Sequence, residues 1–561
     1  MSPAQRDRGR CVLRKSDVLS ARNVFVAFVI AGAIAAAACT DPQSKENNAA
    51  QGRPRSNILL PNIDDDNGDG IPDVNGAPLP AGTDDEMLQI QVFPDGKLPQ
   101  GATVRAEIAE PWTRFARAFI GISSPDGSRF VPPPMEVNVA DIRKKGVVIG
   151  VEAADFPATD RPPALEVKVI FETREGQPLR EKKIECRVAP FLLSSCLDPA
   201  ERVQVVKTKG TERFVRDLGP LVEAAGAALE IVADPSIPEH DIWIQDAVEI
   251  GSATDGERVV HYALHGNRGR ELDDVFAKNK LERDFGVINK GGFRDRPAQW
   301  IDWYGNLEVS PPVKAKGREF PNGRFYAGTQ AERAMHPEVI EFLEAQGAQG
   351  PVLWLDTSWL VIGHVDETVS WVPSNVGTPF RMMIPSPRLA VEILKRAEQE
   401  APGGILNRGT KREGDKPGEF ERPVAAALRD KGLLAAQELV QSKIDAVRRT
   451  LQDELGVADA DIIEIPVLFN SDSRWFPGRY FAETVNMVNG LLLGNDYIVP
   501  DPRGPLVDGR DVLLQAVKDR LEPLGCRVVP LDCFYPYHRW GGEIHCGTNA
   551  TRGLGPTIPQ K

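Results

Sequence analysis

From about Glu201 to the C-terminus, strand-like runs alternate with amphipathic helical stretches, and this alternation confines the region to an α/β architecture. The strand-like runs are RVQVVKT, AALEIVAD, RVVHYALH, PVLWLD, RMMIPS and RVVPLD. Between them lie TERFVRDLGPLVEAAG, RLAVEILKRAEQEA and AQELVQSKIDAVRRTLQDEL, whose apolar residues recur at helical spacing. The pattern by itself allows a doubly wound sheet as well as other α/β arrangements. Residues 402–423, rich in Gly, Pro and charge, are expected to form an exposed loop. Residues 57–199 read differently: the short alternating runs MLQIQVF, TVRAEI, GVVIGVEA and ALEVKVIFE, divided by Gly, Pro and Asp turns, predict a β-sandwich.

The first residues carry Arg6, Arg8, Arg10, Arg14, Lys15 and Arg22, then an apolar run from Val24 to Ala38 that suits an export signal and is short for a membrane span. The run ends in Ala36-Ala37-Ala38 directly before Cys39, which resembles the lipobox of bacterial lipoproteins. We therefore expect residues 1–38 to be a lipoprotein-type signal and Cys39 to carry a lipid anchor. Residues 39–56 would be a flexible polar tether, and the protein would be exported to a bacterial cell envelope. Against 67 Lys plus Arg stand 80 Asp plus Glu, a formal charge of −13 that becomes −17 once the signal is removed. That balance argues against a nucleic-acid binder, which needs a cationic face, and favours a cationic ligand or a metal ion.

In the β region, NIDDDNGDGIPD offers Asn62, Asp64, Asp66, Asp69 and Asp73 as oxygen donors, with Gly68 and Gly70 permitting a tight loop, the donor type that Ca2+ requires. Asp84, Asp85 and Glu86 could complete that site or a neighbouring one. Of the seven cysteines, Cys186/Cys196 and Cys526/Cys533 lie close enough in sequence to close two short disulfide loops in an oxidising compartment, with buried free thiols as the alternative.

Four segments carry candidate chemistry: HDIWIQDAVEIG at 240–251, WYGNLEVSPPV at 303–313, IGHVDETVS at 362–370 and HRWGGEIHCGTN at 538–549. In this order they resemble the protein-arginine deiminases of the guanidino-group-modifying (pentein) superfamily. The resemblance extends through VNMVNGLLLGNDYIVPDPRGP at 485–505. It implies a five-bladed α/β propeller over 200–561 behind an Ig-like sandwich, and no room before the sandwich for the extra N-terminal domain of the animal enzymes.

Deimination requires a planar cation to be held, its central carbon attacked, ammonia expelled and water activated. Paired carboxylates hold a guanidinium by charge-assisted bidentate hydrogen bonds, a thiolate attacks and leaves again, and a general acid protonates the ammonia. The resemblance assigns Asp246 and Asp366 to the first role, Cys546 to the second and His364 to the third. It implies that Trp243 flanks the substrate's aliphatic stem and that Arg268 grips a peptide backbone. It further implies one Ca2+ held by Gln245, Glu249, Glu308 and the carbonyls of Tyr304 and Leu307. A second family calcium position has Ala247 and Ala263 where acids are expected, leaving Asn267. Trp540 and Gly541 stand where the animal enzymes carry basic residues at the site's mouth.

The function expected is calcium-dependent hydrolysis of peptidyl arginine to citrulline. Free arginine or another small guanidine is an alternative substrate, and a non-catalytic calcium-dependent surface-binding protein is an alternative of another class.

Overall fold

The structure is a computed structural model that describes residues 57–76, 86–124, 127–136, 139–290, 297–331, 333–410, 420–471 and 476–554. The signal, tether and Cys39 readings, and Asp84 and Asp85, lie outside these residues. Among the described residues no helix is long and apolar enough to cross a membrane.

The predicted β region forms two facing sheets. One runs in the order Ile58–Leu59, Pro178–Val188, Ala164–Glu172, Thr103–Ile108, Met135–Glu136; the other runs Leu88–Val92, Val147–Ala153, Ala116–Ser124, Gly127–Val131. Every second residue of Val104–Ala106 and of Val147–Val151 points inward, so the two sheets share one core that also holds Trp112, Val167, Val169 and Phe171. The indole N–H of the fully buried Trp112 donates to the Pro162 and Ala164 carbonyls, so burial leaves it satisfied.

The chain leaves the sandwich at Val188, and Leu192–Leu193 already pairs with Val248–Thr254 in the next region. There, among the described residues, the strand and helix alternation resolves into five sheets of three or four strands besides several two-stranded ribbons, and each of the five joins an antiparallel pair to a parallel one, Leu192–Leu193 adding a second antiparallel pair to its sheet. In four of them a hairpin is followed by a helix and a parallel strand. Val248–Thr254 and Val259–His265 lead through Glu271–Lys280 to Phe285–Ile288, and Leu307–Val309 and Phe325–Thr329 through Pro337–Ala345 to Leu353–Asp356. Ser370–Pro373 and Phe380–Ser386 lead through Pro387–Glu400 and Lys431–Leu455 to Ile462–Pro466, and Leu491–Leu493 and Asp496–Pro500 through Val512–Leu521 to Arg527–Leu531. In the remaining sheet Ala200–Val206 pairs parallel with Ala228–Val232 across Glu212–Ala224, and its antiparallel partner is the C-terminal strand Thr548–Arg552. No described sheet in this region has more than four strands, so the doubly wound alternative is excluded.

The 402–423 segment is a loop with an ordered base, since Ile405–Leu406 pairs with Arg422–Pro423. Phe156 of the sandwich side stacks edge-on against Tyr262 and Phe342 in a core shared with Leu60 and Phe191, while the Tyr262 hydroxyl donates to the Pro61 carbonyl at 2.9 Å. The sandwich is thereby packed onto the second region as core against core.

The expected disulfides are absent: Cys186, Cys196, Cys526 and Cys533 are all free. Their thiols face other partners, with Cys196 Sγ donating to the Trp371 carbonyl, Cys526 Sγ to the Pro373 carbonyl and Cys533 Sγ to Glu543 Oε2. Sequence spacing carries no information about the direction of the Cβ vectors, which decides whether a bridge closes. Thiol titration of the denatured chain should give the same count with and without reductant; a gain on reduction would show a bridge.

Candidate active site

Each new sheet begins at the same place, and there the chain turns inward. Asp246 precedes Val248 by two residues, Gly305 precedes Leu307 by two, Asn489 precedes Leu491 by two and Cys546 precedes Thr548 by two; Asp366 precedes Ser370 by four. A short helix, Ile244–Ala247, carries Asp246, and a 3-10 turn, Val365–Glu367, carries Asp366. That turn is locked because Glu367 Oε1 accepts the Gly363 and His364 N–H groups at 3.0 Å.

The structure brings Asp246, His364, Asp366 and Cys546 together, all buried. Cys546 Sγ is 3.3 Å from Asp366 Oδ2, and His364 Nδ1 is 3.5 Å from Asp246 Oδ1. His364 Nε2 is 2.8 Å from the Trp300 carbonyl, so Nε2 carries hydrogen and Nδ1 faces the carboxylate. Asp366 Oδ1 is buried with no hydrogen-bond partner. A cavity of about 620 Å³ opens onto Asp246, His364 and Cys546 between the rings of Trp243, Trp300 and Trp303. Apolar walls around an acidic floor suit a side chain that is aliphatic along its stem and cationic at its tip.

Burial is the largest single influence on each group here, but it does not always set the direction. It pushes the Asp246 carboxyl up against the pull of His364 and Arg268, and it pushes the Cys546 thiol well above the ordinary thiol value, with Asp366 and Asp246 adding to the effect. Burial alone would lower His364, but Asp246, Asp366 and Glu367 outweigh it and hold the imidazole above its ordinary value. Glu367 itself is pushed up to about 8, chiefly by burial.

Arg268 is the residue expected to grip a peptide backbone, and Arg270, two positions on, was not singled out. The Arg268 guanidinium is fully buried between Asp241 at 3.2 Å and Asp273 at 2.7 Å and does not line the cavity. Arg270 does line it, resting 4.6 Å over the Trp303 ring and paired with Asp241. Trp540, at the mouth, is 66% exposed.

The residues expected to hold Ca2+ beneath the site converge on a void of about 40 Å³ lined by Gln245, Glu249, Glu308, His545 and Arg552. Gln245 Nε2 donates to Glu249 Oε2 at 3.0 Å and to the Tyr304 carbonyl at 3.5 Å, and Leu307, adjacent to Glu308, is buried. Burial and the Glu308 charge raise Glu249 well above the usual range, and Glu308 stands at about 7, raised by burial against the pull of His545. Two buried carboxylates with carbonyl and amide oxygens fit a hard cation. Asn267, the survivor of the second position, is spent on the His265 and Lys290 carbonyls.

In the sandwich loop, oxygens of Asp64, Glu86 and Asp284 lie within 4.8 Å of one another, and Asp64 Oδ1 is buried without a hydrogen-bond partner. Asp284 comes from the second region, 220 residues from Asp64, a contact no local motif signals. Asp73 accepts from Asp66 N and Asn67 Nδ2, and Asn62 is buried beside it. Asp69 is exposed and spends its carboxylate on the Ile71 N–H, so it stands apart from the cluster. Asp65, not among the expected donors, holds the loop by accepting the Gly68, Asp69 and Gly70 N–H groups.

A family model described as protein-arginine deiminase matches residues 178–555. The chain belongs to the protein-arginine deiminase family. The mouse type-4 protein-arginine deiminase is 33% identical over 417 residues, covering 72% of this chain and 61% of that one, and the human type-3 protein-arginine deiminase is 35% identical over 387 residues, covering 68% and 57%. The chain thus spans about three fifths of the length of the curated relatives it matches. Among solved structures, Campylobacter jejuni agmatine deiminase aligns with a TM-score of 0.37 and 11% identity, covering 65% of this chain and 98% of that one.

A methyl group on Gly305 would lie 2.6 Å from His364 Nδ1 and 2.9 Å from Asp246 Oδ1, so only glycine leaves both groups where they are. Gly305→Ala should lower kcat of any guanidine turnover about 100-fold, because displacing reacting groups by about an ångström has that effect, while circular dichroism stays unchanged. Retained turnover would show that His364 and Asp246 need not hold this spacing.

Proposed function

We propose that this chain hydrolyses the guanidinium of peptidyl arginine to a ureido group, giving citrulline and ammonia through a covalent intermediate on Cys546. The observation that carries the reading is the meeting of Asp246, His364 and Cys546 at the floor of an aromatic-walled cavity, with Asp366 3.3 Å behind the sulfur.

In this reading Asp246 and Asp366 hold the guanidinium, whose own charge offsets the burial of both carboxylates and favours the Cys546 thiolate. The sulfur bonds to the guanidino carbon as the C=N electron pair moves onto nitrogen. His364 then gives its proton to the departing nitrogen, the C–N bond breaks, and ammonia leaves an S-alkylthiouronium. Neutral His364 next takes a proton from water, whose oxygen adds to the same carbon. The C–S bond breaks with its pair returning to sulfur, and the proton still on the oxygen passes to solvent, where the released ammonia takes it up as ammonium, leaving the neutral ureido product. Peptidyl arginine is favoured over free arginine by the open mouth at Arg270 and Trp540, where neighbouring residues of a peptide could rest.

Ca2+ would be held by Gln245, Glu249, Glu308 and the Tyr304 and Leu307 carbonyls, and in the sandwich by Asp64, Glu86 and Asp284. It would supply positive charge where buried carboxylates face one another. Export and lipid anchoring through Cys39 belong to the same reading, as does closure of the five sheets into a propeller.

The test is citrulline and ammonia release from a blocked arginine peptide and from free arginine. We expect turnover of the peptide, at least 10³-fold loss in Cys546→Ser, as is usual when a covalent nucleophile is removed, and a preference for peptide over free arginine. No citrulline from either substrate would leave the calcium-dependent binding protein as the reading.

Removing Ca2+ with a chelator should lower both the melting temperature and the activity, and Glu308→Gln should abolish part of the melting shift. An unchanged melting temperature at millimolar Ca2+ would count against both cation sites.

A further inference from the structure

The side chain of Asn489 is 2% exposed and makes contacts to both halves of the reacting pair. Its Nδ2 lies 3.3 Å from Cys546 Sγ and 3.2 Å from the Asp366 backbone carbonyl, while its Oδ1 accepts the Cys546 N–H at 3.3 Å. Its own carbonyl accepts the His545 N–H at 3.2 Å. A carboxamide has two N–H donors and one carbonyl oxygen, and here each finds a partner. Flipping the amide would set its oxygen against a carbonyl and its NH₂ against an N–H, so the partners fix which atom faces the sulfur.

The turn that presents Asn489 is equally constrained. Asn489 N donates to the Asn486 carbonyl, the next residue's N–H donates to the Tyr497 hydroxyl, and that hydroxyl donates within 2.8 Å of the Met487 and Val488 carbonyls. Asn486 in turn donates to the Glu367 carbonyl, tying the turn to the segment that carries Asp366. Asn489 also occupies the place before its sheet that Asp246 and Cys546 occupy before theirs.

The remaining surroundings of the sulfur are charged. The acidic side chains of Asp246, Asp366 and Glu367 surround it, and His364 and His545 stand beyond them. A thiol can donate to Asp366 Oδ2, but a sulfur that has lost its hydrogen can only accept, and a carboxylate then repels it. Asn489 offers a neutral donor aimed at that sulfur in every state.

We propose that Asn489 is a catalytic residue whose Nδ2–H donates to the Cys546 sulfur and stabilises it whenever it carries negative charge, before attack and again when the C–S bond breaks. A hydrogen bond to an anion is stronger than one to a neutral acceptor, so the contribution is larger in those states than in the thiol or the thioether-like intermediate. The inference rests on the covalent cysteine reading above.

Two variants separate this from a purely architectural role. Asn489→Asp is isosteric and keeps an acceptor for the Cys546 N–H but removes the donor to sulfur; Asn489→Ala removes both without adding charge. We expect both to melt close to the parent protein and to lose kcat by about 100-fold, the usual cost of one directed donor, with KM changed by no more than about threefold. Alkylation of Cys546 by iodoacetamide, followed by mass spectrometry, should slow by about tenfold in both, since it needs only the thiolate and no substrate.

Undiminished kcat and alkylation in Asn489→Asp would mean that the residue only holds the backbone. Loss in Asn489→Asp but not in Asn489→Ala would mean that only the added charge matters. Either result overturns the proposal. If the parent protein forms no citrulline at all, the proposed function fails, and the alkylation rates alone still decide whether Asn489 supports the sulfur.

Discussion

Everything around Cys546 follows from carboxylates held out of water with fewer cations than they need. Asp246, Asp366, Glu249, Glu308 and Glu367 lie within one connected region, and burial raises four of them above their usual range. Two like charges about 4–5 Å apart repel by roughly 3–4 kcal/mol at an effective dielectric near 20. His364, His545 and Arg552 relieve part of that repulsion: His545 stands 3.1 Å from Asp366 and 3.3 Å from Glu308, bridging the site to the void beneath it. A planar cation entering the cavity relieves more. In the proposed function this surplus of negative charge is what favours a cationic ligand, whose charge opposes the upward push that burial and the carboxylates exert on the Cys546 thiol.

Such a cluster needs side chains from distant parts of the chain to meet without loops long enough to wander. The repeated hairpin, helix and parallel strand solves this, because each unit turns its chain inward just before its first strand. Cys546 meets Asp366 across 180 positions and Asn489 across 57, yet each residue sits only a few positions from a strand whose pairing fixes it. The strand Thr548–Arg552 pairs with Ala200–Val206, so Cys546 is anchored to a strand from near the start of the region rather than to a free end.

That arrangement explains what was legible. Asp246, His364, Asp366 and Cys546 were legible because the short motifs that hold them, each weak alone, together and in order resemble one family. The helices 212–224, 387–400 and 431–455 and all ten of the runs read as strands are strands or helices as expected, because their periodicity reflects faces that are buried. Asn489 was hidden: a single amide between apolar residues resembles a turn, and only the direction of its side chain separates it from one. Asp284 was hidden because its partner Asp64 belongs to another sheet system. Arg268 and Arg270 are two residues apart, and nothing in that spacing says which guanidinium is sealed by Asp241 and Asp273. Asp69 and the paired cysteines failed for the converse reason, since spacing suggested a meeting that side-chain direction forbids.

The sandwich is joined to this region through charged contacts as well as apolar packing, among them Lys290 with Asp155 at 2.7 Å, Arg258 with Glu86 at 3.7 Å and the acidic loop. Asp64 accepts the Asp284 N–H at 2.9 Å, and the Asp284 carbonyl accepts the His261 N–H at 2.9 Å, so the acidic loop is bonded directly to the strand Val259–His265. That strand ends at His265, and the turn following it carries Arg268 and Arg270. Asp284 has positive φ, a conformation a non-glycine residue keeps only where its surroundings hold it. The Asp64, Glu86 and Asp284 carboxylates therefore gather beside a strand whose end leads into the turn that carries Arg270 to the cavity.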